Sequence, residues 1–225
     1  MKKERPILFS TPMVQALLDE SKTVTRRVNG LDKVNESPLK WRFCRFNGSH
    51  AIFCESSNSE SQIFIKCPYG RVGDALWVRE KWENQTSNGK RVNFFAGNIE
   101  VQHNPAYRNL TKWKPSIHLK KVDARLWLQI KHIGVERLQS ISEPDAVAEG
   151  IYKRYNDLFN EMRYKDYLAD AFPANFWRNP VSSFKSLWQL VNGLDAWDKN
   201  PWVWVIRFDA GIVVYKTAAV GPTII

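Results

Sequence analysis

Apolar and polar positions alternate in short blocks along this chain, and the period changes from block to block. Ile7, Leu8 and Phe9 open as a short strand. Ser10 or Thr11 then caps a helix that has Pro12 at its first position, where a missing N–H costs nothing. Val14, Leu17 and Leu18 follow at helical spacing, and the helix ends near Ser21. Lys22 lies at the junction. Thr23 to Val28 alternate as a strand, which puts Thr23, Thr25 and Arg27 on one face and Val24 and Val28 on the other. Further along, Leu76 and Val78 alternate with Trp77 and Arg79 in a strand from Ala75 to Trp82. Pro115 to Leu119 opens the next strand region, and Arg125 to Glu136 reads as a long strand. Ser142 caps a helix that stops at Gly150. Phe184, Leu187, Trp188 and Val191 mark another amphipathic helix, and after the Asn200-Pro201 turn Trp202 to Phe208 forms a final strand.

Between these blocks lie three polar stretches, near 29–66, 83–114 and 151–182. They read as insertions into one domain spanning 1–210. The first carries two strands, near Trp41–Phe46 and Ile63–Lys66. The second holds the short run Val92–Ala96, and the third is aromatic, charged and helical in part. Residues 211–225 form an apolar tail with no packing pattern. Short strands with interspersed helices and no βαβ rhythm predict an α+β fold built on a small mixed barrel, not a doubly wound sheet. The absence of a glycine-rich phosphate loop removes support for nucleoside-triphosphate and dinucleotide enzymes.

A net charge of +10 and a pI near 9.6 point to a polyanionic partner, with nucleic acid as the first candidate. Ten tryptophans supply stacking surfaces, although most sit in apolar strand patterns and belong in a core. No apolar run is long enough to span a bilayer, so no membrane partner is expected. The charged start, with no apolar segment after it, fits a cytoplasmic protein. Three cysteines, Cys44, Cys54 and Cys67, fit reduced thiols there. Cys44, His50, Cys54 and Cys67 could form a four-ligand metal set, but they lack the close Cys-x2–4-Cys pair usual for zinc. Neither a metal nor a cofactor is expected.

The densest chemistry is Lys22-Thr23-Val24-Thr25-Arg26-Arg27. A primary amine beside a threonine hydroxyl can act as its general base. The two guanidiniums can hold an anion or the polar edge of a base. The same six residues also read as a basic surface strand.

Three segments together resemble the ASCH domain of the PUA-like superfamily. They are Ser21 to Arg27, then Gly73-Asp74-Ala75-Leu76-Trp77-Val78-Arg79-Glu80, then Ile141 to Ile151. Asn200 to Phe208 resembles the closing strand of the larger phage and prophage members. The likeness covers about 5–28, 67–82, 115–151 and 183–208, and the insertions fall outside it. The resemblance implies a small β-barrel with helices at one mouth and a cleft that handles RNA or a modified nucleoside. The small members are amidohydrolases that remove the acetyl group from N4-acetylcytidine. Their Lys-Thr-x-Thr-x-Arg segment matches Lys22, Thr23, Thr25 and Arg27, and their catalytic glutamate matches Glu149. Carried over, Thr25 is the nucleophile, Lys22 the base, and Glu149 tunes Lys22 or shuttles the proton. Arg26 and Arg27 would lower the Lys22 pKa as cationic neighbours.

Arg79, Glu80, Ser116 and His118 are expected to line the same cleft and bind substrate with Thr23, Arg26 and Arg27. Arg79–Glu80 equally reads as an exposed strand pair, and His118 as an ordinary hydrogen-bonded histidine. The expected ligand is a modified nucleoside or single-stranded RNA. Two alternatives stay open beside the amidohydrolase: a non-catalytic module binding RNA or a modified base, and a metal-independent ribonuclease.

Overall fold

The computed structural model describes residues 2–58, 60–87, 90–96, 112–169 and 175–209. The tail at 211–225 and much of the second insertion lie outside them. The fold is mixed α+β, with four sheets and a few short helices among the described residues. Its central sheet has five strands: β1 (Glu4–Leu8), β2 (Val24–Arg27), β6 (Ala75–Arg79), β9 (Trp127–Arg137) and β13 (Trp202–Phe208). Their order is β1-β6-β9-β13-β2, with β1 and β6 parallel and the other pairs antiparallel.

β13 shows why the core divides in two. Trp202, Trp204, Ile206 and Phe208 pack with Ile7, Val14, Leu76 and Leu128. The alternate residues Val203 and Val205 pack with Val24, Leu138, Phe184 and Trp188. A strand covered on both faces is apolar at nearly every position. Each such side chain contributes about 1.5–3 kcal/mol by leaving water.

β1 and β2 are consecutive in the chain yet occupy opposite edges of the sheet. Helix α1 (Thr11–Leu18) connects them. The sheet curls so far that Arg27 Nη2, on one edge, donates to the Leu8 carbonyl on the other at 2.7 Å. Among the described residues the two edges form no ladder with each other, so the barrel expected from the sequence is an open, curled sheet. A helix and one side chain stand where closing hydrogen bonds would be.

The insertions have their own sheets. The first is a three-stranded meander, β3 (Trp41–Asn47), β4 (His50–Glu55) and β5 (Gln62–Lys66), which contains one strand more than expected. Its register opens a bulge between Phe43 and Arg45, and Cys44 forms a disulfide with Cys54. The expectation of three reduced thiols is therefore corrected: only Cys67 is free, and it is buried. The pairing depends on hairpin register, which spacing alone does not fix. It also removes two members of the four-ligand metal set, and among the described residues no group of three or more metal-ligating side chains is found.

The strand expected over Ala75–Trp82 breaks at Glu80–Lys81, and β7 (Trp82–Ser87) pairs instead with β8 (Lys90–Phe95). Ser116–His118 is a single 3₁₀ turn after Pro115, not a strand. The described residues of the third insertion form mainly a sheet, β10 (Lys153–Asn156), β11 (Glu161–Lys165) and β12 (Phe176–Trp177), and are helical only at the end, where residues 180–182 open the next helix. A short helix α2 (Asp32–Asn35) also forms, and two helices fall close to their expected places, α3 (Glu143–Ala148) and α4 (Pro180–Asn192). Among the described residues no helix is long and apolar enough to cross a membrane.

Candidate functional site

Three chain segments meet at the end of α1. Lys22 N–H donates to Ala16 O at 2.8 Å, and Thr23 N–H donates to Ala148 O at 2.9 Å. Lys22 and Glu149 form an isolated antiparallel bridge. Gly150 makes this approach possible. Its φ is +81°, and a Cβ there would lie 2.7 Å from Ala16 Cβ and 2.8 Å from Lys22 Cβ. Only glycine combines that backbone angle with that clearance.

The approach buries Lys22 to 2% exposure and Glu149 to 4%. Lys22 Nζ donates to Val24 O at 2.9 Å, to Glu149 O at 2.6 Å and to Glu149 Oε2 at 2.9 Å. Three acceptors match the three hydrogens of an ammonium. Burial nevertheless pushes the amine below its usual pKa; Glu149 opposes the shift, and the positive charges of Arg27 and Arg26 add to it. The lowered pKa lets Lys22 give up a proton more readily than an ordinary lysine does.

Arg26 spreads its charge over three carboxylates. Nε donates to Glu136 Oε1 at 2.7 Å, Nη2 to Asp145 Oδ2 at 2.9 Å and Nη1 to Glu149 Oε1 at 3.1 Å. Arg207 Nη2 then bridges both Asp145 oxygens at 2.8 Å. Glu149 is thus held between Lys22 and Arg26, and its position is fixed from both sides.

These groups border a cavity of about 260 Å³. Lys22, Thr25, Arg26, Arg27 and Glu149 all line it. Phe9, Met13, Phe184, Leu187, Trp188 and Val191 give it an apolar wall, and Asn29 and Tyr69 a polar one. Thr25 is 3% exposed and pairs in register with Ile206 of β13. The volume suits a small organic molecule and is at the low end for ligand pockets.

The other seven of the ten residues expected at the site fare differently from one another. Arg26 and Arg27 border the cavity beside the proposed catalytic trio. Thr23 does not line it; its main chain bridges Ala148 and Phe208. Arg79, Glu80, Ser116 and His118 do not line it either. Glu80 is buried and held by Arg125, with Nε to Oε1 at 2.8 Å and Nη2 to Oε2 at 2.9 Å. Arg79 stacks over Trp77, its ring centroid 4.7 Å away. His118 is exposed on its 3₁₀ turn.

Sequence reasoning passed over Glu136, Asp145 and Arg207, the outer part of the charge network. A signal existed for Arg207, the one charged residue in the otherwise apolar β13, where an ion must find a partner. In comparisons with family models, curated proteins and solved structures, none matches the chain.

Proposed function

We propose that this protein is a hydrolase acting on a modified nucleoside, removing an acyl group from N4-acetylcytidine or a close analogue. The ASCH and PUA-like assignment is part of the same proposal; the order of the three motif segments and the curled five-stranded sheet support it. One observation carries the reading: Lys22, Thr25 and Glu149 border one small cavity although Lys22 and Glu149 are 127 residues apart.

In the proposed reaction Thr25 Oγ attacks the amide carbonyl carbon and its proton passes to the neutral Lys22 amine. The C–N bond then breaks. The leaving exocyclic nitrogen takes a proton from Lys22, which Glu149 holds in place. Water hydrolyses the resulting threonyl ester and releases the acid. Burial lowers the cost of the neutral amine this step requires. The test is conversion of N4-acetylcytidine to cytidine, followed by mass. Lys22→Ala, Thr25→Ala and Glu149→Ala are each expected to lose at least about a hundredfold in rate. Unchanged turnover in Lys22→Ala would remove the mechanism.

The alternative, a module that binds single-stranded RNA, draws support from the β10–β12 sheet. Its register puts Lys153, Tyr155, Met162, Tyr164 and Trp177 on one face. Tyr155 and Trp177 are half exposed there, at 51% and 42%. Exposed aromatics beside cations suit stacked bases and phosphates. This reading predicts salt-sensitive RNA binding without product. The ribonuclease alternative gains nothing from the cavity, whose lining among the described residues includes no histidine.

A further inference from the structure

We infer that the cavity is built for a ligand that carries an anionic group, and that Arg27 is the residue that binds it. On the nucleoside reading, on which this rests, the ligand class becomes a nucleotide with a phosphate and not a free nucleoside.

The inference comes from the distribution of charge. The cluster contains four cations, Lys22, Arg26, Arg27 and Arg207, and three carboxylates, Glu136, Asp145 and Glu149. Every carboxylate is committed to Lys22, Arg26 or Arg207. Arg27 makes no ion pair among the described residues. Its Nη2 donates to a neutral carbonyl, Leu8 O, and its Nε is buried without a partner. The guanidinium packs over Phe9, 5.0 Å from the ring centroid. An arginine keeps its charge even when buried. Arg27 is half-buried, with its bond to Leu8 at the surface, and its open side is the cavity that it lines, where a charge only partly in water gains from a counter-charge.

The neighbours fit the same ligand. Burial raises the Tyr69 pKa, so its hydroxyl stays a neutral donor, and its side chain hydrogen-bonds with Asn29. Arg27, Tyr69 and Asn29 therefore present donors and a positive charge. Leu187, Trp188 and Val191 present apolar surface in the same cavity. A planar base joined to a phosphate matches both kinds of wall. Arg27 would act as a forked donor, the geometry that suits phosphate oxygens.

The experiment is calorimetric titration with cytidine, cytidine 5′-monophosphate and inorganic phosphate, using the wild type, Arg27→Gln, Arg27→Lys and Tyr69→Phe. Thermal unfolding of each variant reports whether it is folded. The monophosphate is expected to bind at least about tenfold more tightly than cytidine, as for one charge-assisted contact. Arg27→Gln should erase that preference, Arg27→Lys should keep part of it, and Tyr69→Phe should reduce it less than Arg27→Gln does. Equal affinity for cytidine and its monophosphate overturns the inference and leaves the nucleoside reading standing. A preference that persists in folded Arg27→Gln also overturns it. Phosphate binding that depends on Arg27, with no added affinity from the cytidine part, supports the anion site and counts against the nucleoside reading. No binding of any of the three overturns both.

Discussion

Lys22 and Glu149 are joined twice, through the main-chain carbonyl and through the carboxylate of the same glutamate, at 2.6 and 2.9 Å. Removing the Glu149 charge leaves Lys22 buried without a counter-charge, whereas removing Lys22 leaves Glu149 paired with Arg26. Glu149→Gln is therefore expected to cost about 3–5 kcal/mol in stability, and Lys22→Met less. The double variant should cost clearly less than the sum, because it leaves no orphan charge at this pair. Urea denaturation of the four proteins measures this. Strict additivity would mean that the two side chains do not depend on each other.

Because burial holds the Lys22 pKa below its ordinary 10.5, the folded protein releases that proton at a lower pH than the unfolded chain does. Between the lowered folded value and 10.5 the unfolded chain carries more protons, so stability relative to Lys22→Met rises with pH. If the neutral amine is the base, kcat/KM rises with pH along the same titration. Glu149→Gln should move that rise to lower pH and Arg27→Gln to higher pH, since Glu149 raises the Lys22 value and Arg27 lowers it. A pH profile moved by neither substitution would argue against Lys22 as the base.

Burial raises the Asp145 pKa, but hydrogen bonds from Arg207 and Arg26 outweigh it and hold the carboxyl below 3.8. Its contribution is fully present above 3.8 and is lost as pH falls through the folded value. Asp145→Asn should therefore be less stable than wild type at about pH 5, with the gap closing towards about pH 2. Urea midpoints across this range test it. A gap independent of pH would show that the charge on Asp145 contributes nothing.

Gly150→Ala places a side chain at a φ of +81° and against both Ala16 and Lys22. The backbone angle alone should cost about 1–3 kcal/mol, and the contacts add to it. Relief requires Glu149 to move away from Lys22, so ligand affinity should fall together with stability. A variant with wild-type stability would contradict the close approach described above.

Glu80→Gln should destabilise the protein by about 1–3 kcal/mol, because it weakens a buried bond pair from Arg125. It should leave cavity binding intact in the folded fraction, and His118→Ala should alter neither property. Loss of ligand affinity in either variant would return these residues to the site.

The inner part of the site was legible because local chemistry wrote it. An amine, a hydroxyl and two guanidiniums share one turn and strand, and the Ser142 cap with its Gly150 stop places Glu149 at a helix end. The outer part was not legible. Arg26 reaches Glu136, Asp145 and Glu149 across separations of 110, 119 and 123 residues, and nothing local selects among so many carboxylates. Glu80 misled for a related reason: a carboxylate in a strand looks the same whether it faces a ligand or an arginine 45 residues away. The third insertion misled through composition, since aromatic and charged residues at mixed spacing do not distinguish short strands from a helix. Burial of Trp77, Trp127, Trp188, Trp202 and Trp204 followed from their apolar surroundings in strands and helices, but not that of Trp82, which opens a polar strand, or of Trp197, which lies in a turn.

Helix α4 faces both the cavity and the β10–β12 sheet. Phe184, Leu187 and Trp188 border the cavity. Ser183 and Ser186 bolt the outer sheet to the same helix, through Lys165 O at 2.6 Å and Tyr167 N–H at 2.9 Å. Excising the stretch from 152 to 178 would therefore strip the outer support from the roof of the pocket. A chain without that stretch would keep the cavity but lose the two hydrogen bonds that brace its helical wall from outside.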